Sequence, residues 1–540
     1  MKLYPLITSV SRNFMIESPG KEHVVITRRG FLHSCGLASL SLGLYGCAAR
    51  SLPIRTDIKE YSSLSHLPFS GLITSLREEY DYDTEVEGSL PVDLRGTLYR
   101  NGVGLLERNG LRKRALMDGD GMVHAYFFHE QGVRFKNRFV QTEKFVAESA
   151  AGLYLYQTFS TQAPGGFLAN IWGGGRIKSQ AQISVVVWNN RLYAFDESNY
   201  PYEIDKTSLE TIGVSHLGLP EGASLFAAHS KIDLHTREWM LFGLHYGRKV
   251  TLHTTIISEN GNVLMHRQLP LSRYVYMHDF LATEKHLIFI LHPLEFTLTD
   301  FLFGIKSMSD SLVWRPEKGN LVLILDRTGY ADPLLLEANA SFLWHTLNAY
   351  EEDGKILADF VGYDTPDHFI GPDAPVFSVM KGKKGSYISP GILRRYTIDP
   401  VRRTLHPAVL HSGNHEWPSM NPQHRCHPYR FGYLASAASD SFFWSGITRI
   451  DTITGNSETY DFGNSLYCGE PLFVPAHRIS YSSQNTREPG WLMTEVYNGM
   501  TGRSFLAVFE SEDIRKGPIA KIHLRHHLPY SMHGFWQYIT

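Results

Sequence analysis

Cysteine is scarce in this chain of 540 residues, which contains four. No Cys-x-x-Cys pair and no His-Glu-x-x-His run occurs, so the common knuckle and helical zinc signatures are absent. Charge of one sign is not concentrated anywhere: 52 Lys and Arg stand against 54 Asp and Glu, a formal net charge of −2. That balance offers nothing to nucleic acid or to strong binding of an anionic membrane surface. No low-complexity stretch or composition shift divides the chain after residue 70, and no readable repeat of the Trp-Asp propeller type is present. The apolar stretch from Cys35 to Gly46 is too short for a permanent membrane-spanning helix.

What is present points to strands. The chain is 43% hydrophobic and 12% aromatic, with 46 Gly and 26 Pro, a balance that favours many short strands separated by turns. Hairpin signals recur, as in VVVW–Asn189-Asn190–RLYAF and TTIIS–Glu259-Asn260-Gly261-Asn262–VLMH. Among 26 histidines, four sit in separate short motifs spread along the chain: His229 in AAHSKID, His278 in YMHDF, His345 in LWHTLNAYEE and His533 in SMHGFW. Ligands so scattered converge only if the fold delivers separate strands to one point, as the blades of a β-propeller do. An all-imidazole site is neutral and leaves a divalent metal its full charge. On chemistry alone iron, zinc, copper and nickel all remain open. The other histidines, such as His235, His253, His266, His292, His523, His526 and His527, read as solvated or hydrogen-bonded side chains.

The four motifs, in order, together with RGTLYRNG (95–102), MDGDGMVHAYFF (117–128), FDESNYPYEID (195–205), HEWPSMNP (415–422) and GEPLFVP (469–475), resemble the carotenoid cleavage oxygenase family. The resemblance runs from about residue 70 to the C-terminus. It implies an all-β, seven-bladed β-propeller with loops and short helices capping the active site, and one non-haem Fe(II) per chain on the axis, held by His229, His278, His345 and His533. Seven four-stranded blades would use about 17 residues per strand and turn, a normal allowance for one domain over 70–540. The resemblance also supplies Glu197, Glu416 and Glu470 as the carboxylates that fix the imidazoles, leaving His229 without one. Glu416 precedes Trp417-Pro418 and Glu470 precedes Pro471, where a strand gives way to a turn.

The implied activity is cleavage of a carbon–carbon double bond of a carotenoid or apocarotenoid by O2, giving two carbonyl products, with no side chain acting as nucleophile. Alternatives within the resemblance are cleavage of a stilbene or other phenylpropanoid, a retinoid-type isomerisation or ester cleavage, and a catalytically silent ligand-binding propeller. Two departures bear on this choice. Many members carry Asn-Thr before the strand VVVW, where this chain reads Gln182-Ile183, placing the apolar Ile183 toward the oxygen side of the metal. Stilbene-cleaving members tend to place a lysine before the Glu197 position, where this chain has Asp196, an acid that would repel a phenolate. The apolar segment 294–314 reads either as an inter-blade cap or as an entrance through which Phe301, Leu302 and Phe303 touch a membrane and admit an apolar polyene. Nothing in the sequence sets the oligomeric state.

The first 49 residues read as an export leader, followed by a linker over 50–69. Thr27-Arg28-Arg29-Gly30-Phe31-Leu32 resembles a twin-arginine motif, and Leu44-Tyr45-Gly46-Cys47 resembles a lipoprotein processing box. The expected mature protein is periplasmic, either lipidated at Cys47 and membrane-anchored, or soluble after cleavage near Ala48 or Ala49. Cys426 and Cys468 then remain in the folded body. An oxidising compartment permits a disulfide between them, but two free buried thiols are the expected state. Replacing Arg28 and Arg29 by lysine is expected to hold an unprocessed precursor in the cytoplasm. Cys47→Ala is expected to move mature protein from the membrane to the soluble fraction, and unchanged fractionation would remove the anchor while keeping the leader.

Overall fold

Strands near the axis of the molecule are apolar along their length, whereas outermost strands alternate. Glu238–Tyr246 buries the six residues from Trp239 to Leu244, while Val263–Pro270 in the same sheet mixes half-buried with exposed positions and buries none. A sheet packed on both faces toward the centre and wetted at its rim requires this gradient. The computed structural model describes residues 14–15, 25–26, 53–55, 64–166, 169–170, 177–383, 385, 387, 389–438, 441–476 and 487–538. The chain divides into two units, Met1–Arg50 and Ser51–Thr540. Arg28, Arg29 and Cys47 lie outside the described residues.

The larger unit is a seven-bladed β-propeller. Its seven antiparallel sheets begin, from the innermost strand, at Ser531–Tyr538, Ser184–Trp188, Ser230–Asp233, Leu281–Ala282, Phe342–Glu352, Asn414–Ser419 and Leu466–Cys468. Blade hairpins follow local turn chemistry. Asn189 and Asn190 both adopt positive φ, 47° and 60°, between Trp188 and Arg191, the arrangement a two-residue hairpin turn of matching twist needs. One blade is interrupted between Leu291 and Asn320 by an excursion containing the helix Leu298–Leu302. The segment read as a linker is tied to the propeller: Ile54–Arg55 pairs with Leu111–Arg112, and Phe69 is buried against Phe443.

Ring closure joins the two ends of the domain. Ser531–Tyr538 pairs antiparallel with Gly96–Leu105, and Glu85–Gly88 completes the last blade beside Ala520–His523. A buried polar network locks the junction between the closing blade and the last one. Arg100 donates to Glu470 Oε2 at 2.8 Å and to the Met532 carbonyl at 2.8 Å, and lies 3.5 Å from Glu495. Glu495 also meets His124 at 2.7 Å and accepts from the Tyr126 hydroxyl at 2.8 Å. A Cβ at Gly534 would fall 2.5 Å from Arg100 Cδ, so glycine there lets the guanidinium cross the strand.

Burial alone would raise the Glu495 carboxyl, but the His124 imidazole and the Arg100 guanidinium outweigh it and hold the group at about 2. Its folded value is depressed, so its stabilisation is present above the unfolded value of about 4.3 and is lost as pH falls toward 2. Glu495→Gln is expected to lower stability at pH 7 by on the order of 3 kcal/mol, because it removes one of the two carboxylates beside buried Arg100 and the charged partner of His124. Urea midpoints of mutant and parent are expected to converge between about pH 5 and pH 2, and parallel curves would contradict this role.

Candidate metal centre

Each blade delivers one group to the centre. His229 lies just before Ser230–Asp233, His278 just before Leu281–Ala282, His345 within Phe342–Glu352, and His533 within Ser531–Tyr538. The other three blades supply carboxylates: Glu197 follows Arg191–Phe195, Glu416 lies within Asn414–Ser419, and Glu470 follows Leu466–Cys468. Regular pairing is broken at three of these sites. The ladder shifts register around His345, between Glu416 and Ser419, and between Ser531 and Gly534. Such bulges turn a side chain off the regular pleat, here toward the axis. Trp417 takes φ 54°, uncommon for a bulky residue, and its ring packs on His345 and His533 at centroid distances of 4.9 and 4.8 Å.

One ring nitrogen from each of His229, His278, His345 and His533 lies within 4.8 Å of the others. The opposite nitrogens are fixed by carboxylates. His278 Nδ1 donates to Glu197 at 2.8 and 2.9 Å, His345 Nδ1 to Glu416 at 2.6 Å, and His533 Nδ1 to Glu470 at 2.8 Å. These bonds place the protons on Nδ1 and leave lone pairs on the inward Nε2 atoms. Among the described residues His229 has no carboxylate at hydrogen-bonding distance. Asp279 Oδ1 is 3.9 Å from its Nδ1, and that carboxylate accepts from Lys231 Nζ, Thr346 N and Oγ1, and Phe280 N instead. Burial pushes the His229 imidazolium well down and the His533 one to about 4, so both rings are neutral donors at physiological pH.

The Nε2 atoms of His229 and His278 are 3.0 Å apart, and those of His345 and His533 are 3.1 Å apart. For His345 and His533, whose protons are held on Nδ1, lone pairs facing one another at this distance repel unless a cation lies between them. Two nitrogens at right angles around a metal, each about 2.1 Å away, are separated by about 3.0 Å, whereas a tetrahedral angle gives about 3.4 Å. The donor set therefore fits a divalent metal with right-angled imidazoles.

The carboxylates are themselves held. Tyr276 donates to Glu197 at 2.9 Å, Tyr363 to Glu416 at 3.1 Å, and Arg100 to Glu470. Burial and the adjacent carboxylates push both tyrosines well up, so they remain protonated donors. Tyr276 could have been found in the sequence, since it lies two residues from His278 in the same motif. Tyr363 and the Lys231–Asp279 pair carried no comparable signal.

Two cavities meet at the histidines. One, of about 140 Å³, is lined mainly by apolar groups such as Phe159, Met308, Trp344 and Phe369, and reaches His278, His345 and His533. The other, of about 340 Å³, includes Lys231, Asp279 and Arg425 and reaches His229, His345 and His533. Ile183 is buried in the apolar wall, and its carbonyl accepts from His533 N at 3.1 Å.

A family model described as retinal pigment epithelial membrane protein matches residues 73–538. The chain belongs to that family, the carotenoid cleavage oxygenases. It is 32% identical over 472 residues to apocarotenoid-15,15′-oxygenase of Synechocystis sp., covering 85% of this chain and 94% of the relative. It is 26% identical to isoeugenol monooxygenase of Pseudomonas nitroreducens, covering 86% and 97%. The solved structure of the cobalt-substituted Synechocystis enzyme superposes with a TM-score of 0.80 at 30% identity, covering 90% of this chain and all of that one.

Other expected residues fall differently. Phe301 is buried against Phe296, so only Leu302 and Phe303 of the expected entrance trio are exposed. The Asp196 carboxyl accepts from Gln180 N, Glu197 N and Asn199 Nδ2 at 2.7–3.0 Å, so it shapes the turn that carries Glu197 and is not a free charge aimed at a ligand. Cys426 and Cys468 are free and buried, and burial pushes the Cys426 thiol up to about 12 and Cys468 higher, leaving both unreactive. Alanine at any one of the four histidines is expected to strip the metal. Glu416→Gln is expected to weaken it by about ten- to a hundred-fold with unchanged circular dichroism. Competition with a chromogenic chelator measures both, and unaltered affinity in Glu416→Gln would contradict the carboxylate's role.

Proposed function

We propose that this oxygenase holds one Fe(II) through His229, His278, His345 and His533 and cleaves one double bond of a carotenoid or apocarotenoid with O2, releasing two carbonyl products. The observation that carries this reading is a four-imidazole cluster opening onto an apolar cavity whose described lining includes no lysine or arginine. The right-angled spacing of the imidazoles favours iron over tetrahedral zinc. When bound, ferrous iron would supply the redox chemistry that activates dioxygen. The chain's own part is positional. Glu197, Glu416 and Glu470 keep the lone pairs aimed inward, Ile183 and Trp417 wall off water beside His533 and His345, and the aromatic lining aligns an extended conjugated chain. No acid–base pair is required.

Cleavage of a phenylpropanoid draws support from the isoeugenol monooxygenase relative. The polyene reading is preferred because no cationic side chain among the described lining residues could receive a phenolate. Entry from a bilayer past the exposed Leu302 and Phe303 fits the same excursion that carries Met308 into the cavity wall. Among the described residues no helix is long and apolar enough to cross a membrane. The leader motifs support twin-arginine export to the periplasm, with tethering through Cys47.

Incubation of iron-loaded protein under ¹⁸O2 with an apocarotenal and with a hydroxystilbene, followed by mass spectrometry, tests the reading. Labelled aldehydes from the apocarotenal are expected. Products from the stilbene alone would reverse the substrate choice. Absence of label from both would favour an isomerase or a ligand-binding propeller, and full activity with zinc in place of iron would remove the iron assignment.

A further inference from the structure

The apolar cavity contains one imidazole with an unused donor. His368 lies in the turn after Lys355–Tyr363, is 7% exposed and lines the cavity. Trp344 Nε1 donates to its Nε2 at 2.7 Å. An indole N–H is a donor only, so Nε2 carries the lone pair and the single proton of the neutral ring sits on Nδ1. Burial pushes the imidazole down to about 3, which keeps it neutral. Tyr363 and Phe342 pack against the ring at 4.4 and 5.8 Å, fixing its plane. Among the described residues Nδ1 has no hydrogen-bond partner. A buried N–H left unpaired is unfavourable and uncommon in folded proteins, and one in the wall of a ligand cavity calls for an acceptor on the ligand.

We propose that His368 Nδ1–H receives the oxygen atom of an oxygen-bearing polyene, so that the protein selects a polyenal or polyenol over a hydrocarbon polyene of equal length. The inference rests on the polyene reading above and assigns His368 a part in specificity, with no part in bond cleavage. A carbonyl or hydroxyl oxygen satisfies the donor, whereas a hydrocarbon leaves it unpaired, and a site built around such a donor discriminates strongly against the ligand that lacks the acceptor. His368→Gln keeps both an acceptor for Trp344 and an N–H for the ligand, while His368→Leu keeps neither.

The test is anaerobic quenching of tryptophan fluorescence in the iron-loaded protein by an all-trans polyenal and by the hydrocarbon polyene of the same length, with kcat/KM measured in parallel. The parent protein is expected to prefer the polyenal by about ten- to a hundred-fold, His368→Leu to lose that preference while holding the hydrocarbon within about two-fold, and His368→Gln to recover most of it. A preference that survives in His368→Leu, or equal weakening of both ligands, would overturn the proposal. Should His368→Leu fail to fold, absence of any preference in the parent or in His368→Gln would overturn it equally. Selective binding that depends on His368 without cleavage of either polyene would keep this inference and remove the oxygenase reading. Cleavage with no dependence of preference on His368 would do the reverse.

Discussion

The antiparallel pairing of Ser531–Tyr538 with Gly96–Leu105 is the constraint on which the centre depends. It closes the ring, and it carries His533 to the axis on the strand that does the closing. Without it the centre would have three imidazoles, and Glu470 would lose the ring it fixes. The same junction holds Arg100, whose guanidinium bonds Glu470 and the backbone beside His533, so fold closure and metal-site geometry share one buried cation. Seven blades supply four histidines and three glutamates, one group from each.

Regular β-structure does not build this site. Strand pairing slips at His345, Glu416 and His533, and Trp417 is held at positive φ. Each irregularity is unfavourable locally and is offset by what it aims: an imidazole, a carboxylate, or a ring covering two imidazoles. The centre is thus a chain of supports in which tyrosine or arginine orients glutamate, and glutamate orients histidine. His229 is the exception. The nearby Asp279 is committed to Lys231 and Thr346, which leaves that imidazole the least constrained of the four.

The four histidines were legible only through the resemblance of the short motifs around them to the family's, whereas a hairpin at Asn189-Asn190 was legible from residue type, because two positive-φ positions leave few choices. Blade closure was not legible locally, since its partners lie more than four hundred residues apart. The three glutamates came from the same resemblance, and which histidine each would meet required coordinates. Phe301 read as an exposed anchor because an apolar run does not reveal which of its members faces inward. Asp196 read as a free charge because backbone donors that consume a carboxylate leave no mark in the sequence. His368 carried no signal at all. Its meaning comes from Trp344 occupying one nitrogen and no described residue occupying the other.

The claim that all seven blades converge to hold one metal through four imidazoles is tested most directly by X-ray absorption at the iron edge of the anaerobically loaded protein. A first shell of four imidazole nitrogens with the multiple-scattering pattern of histidine is the predicted result. The sulfur-free shell should persist when Glu197, Glu416 or Glu470 is replaced by glutamine. A carboxylate-dominated shell, a sulfur ligand, or failure to load stoichiometric metal would contradict the account.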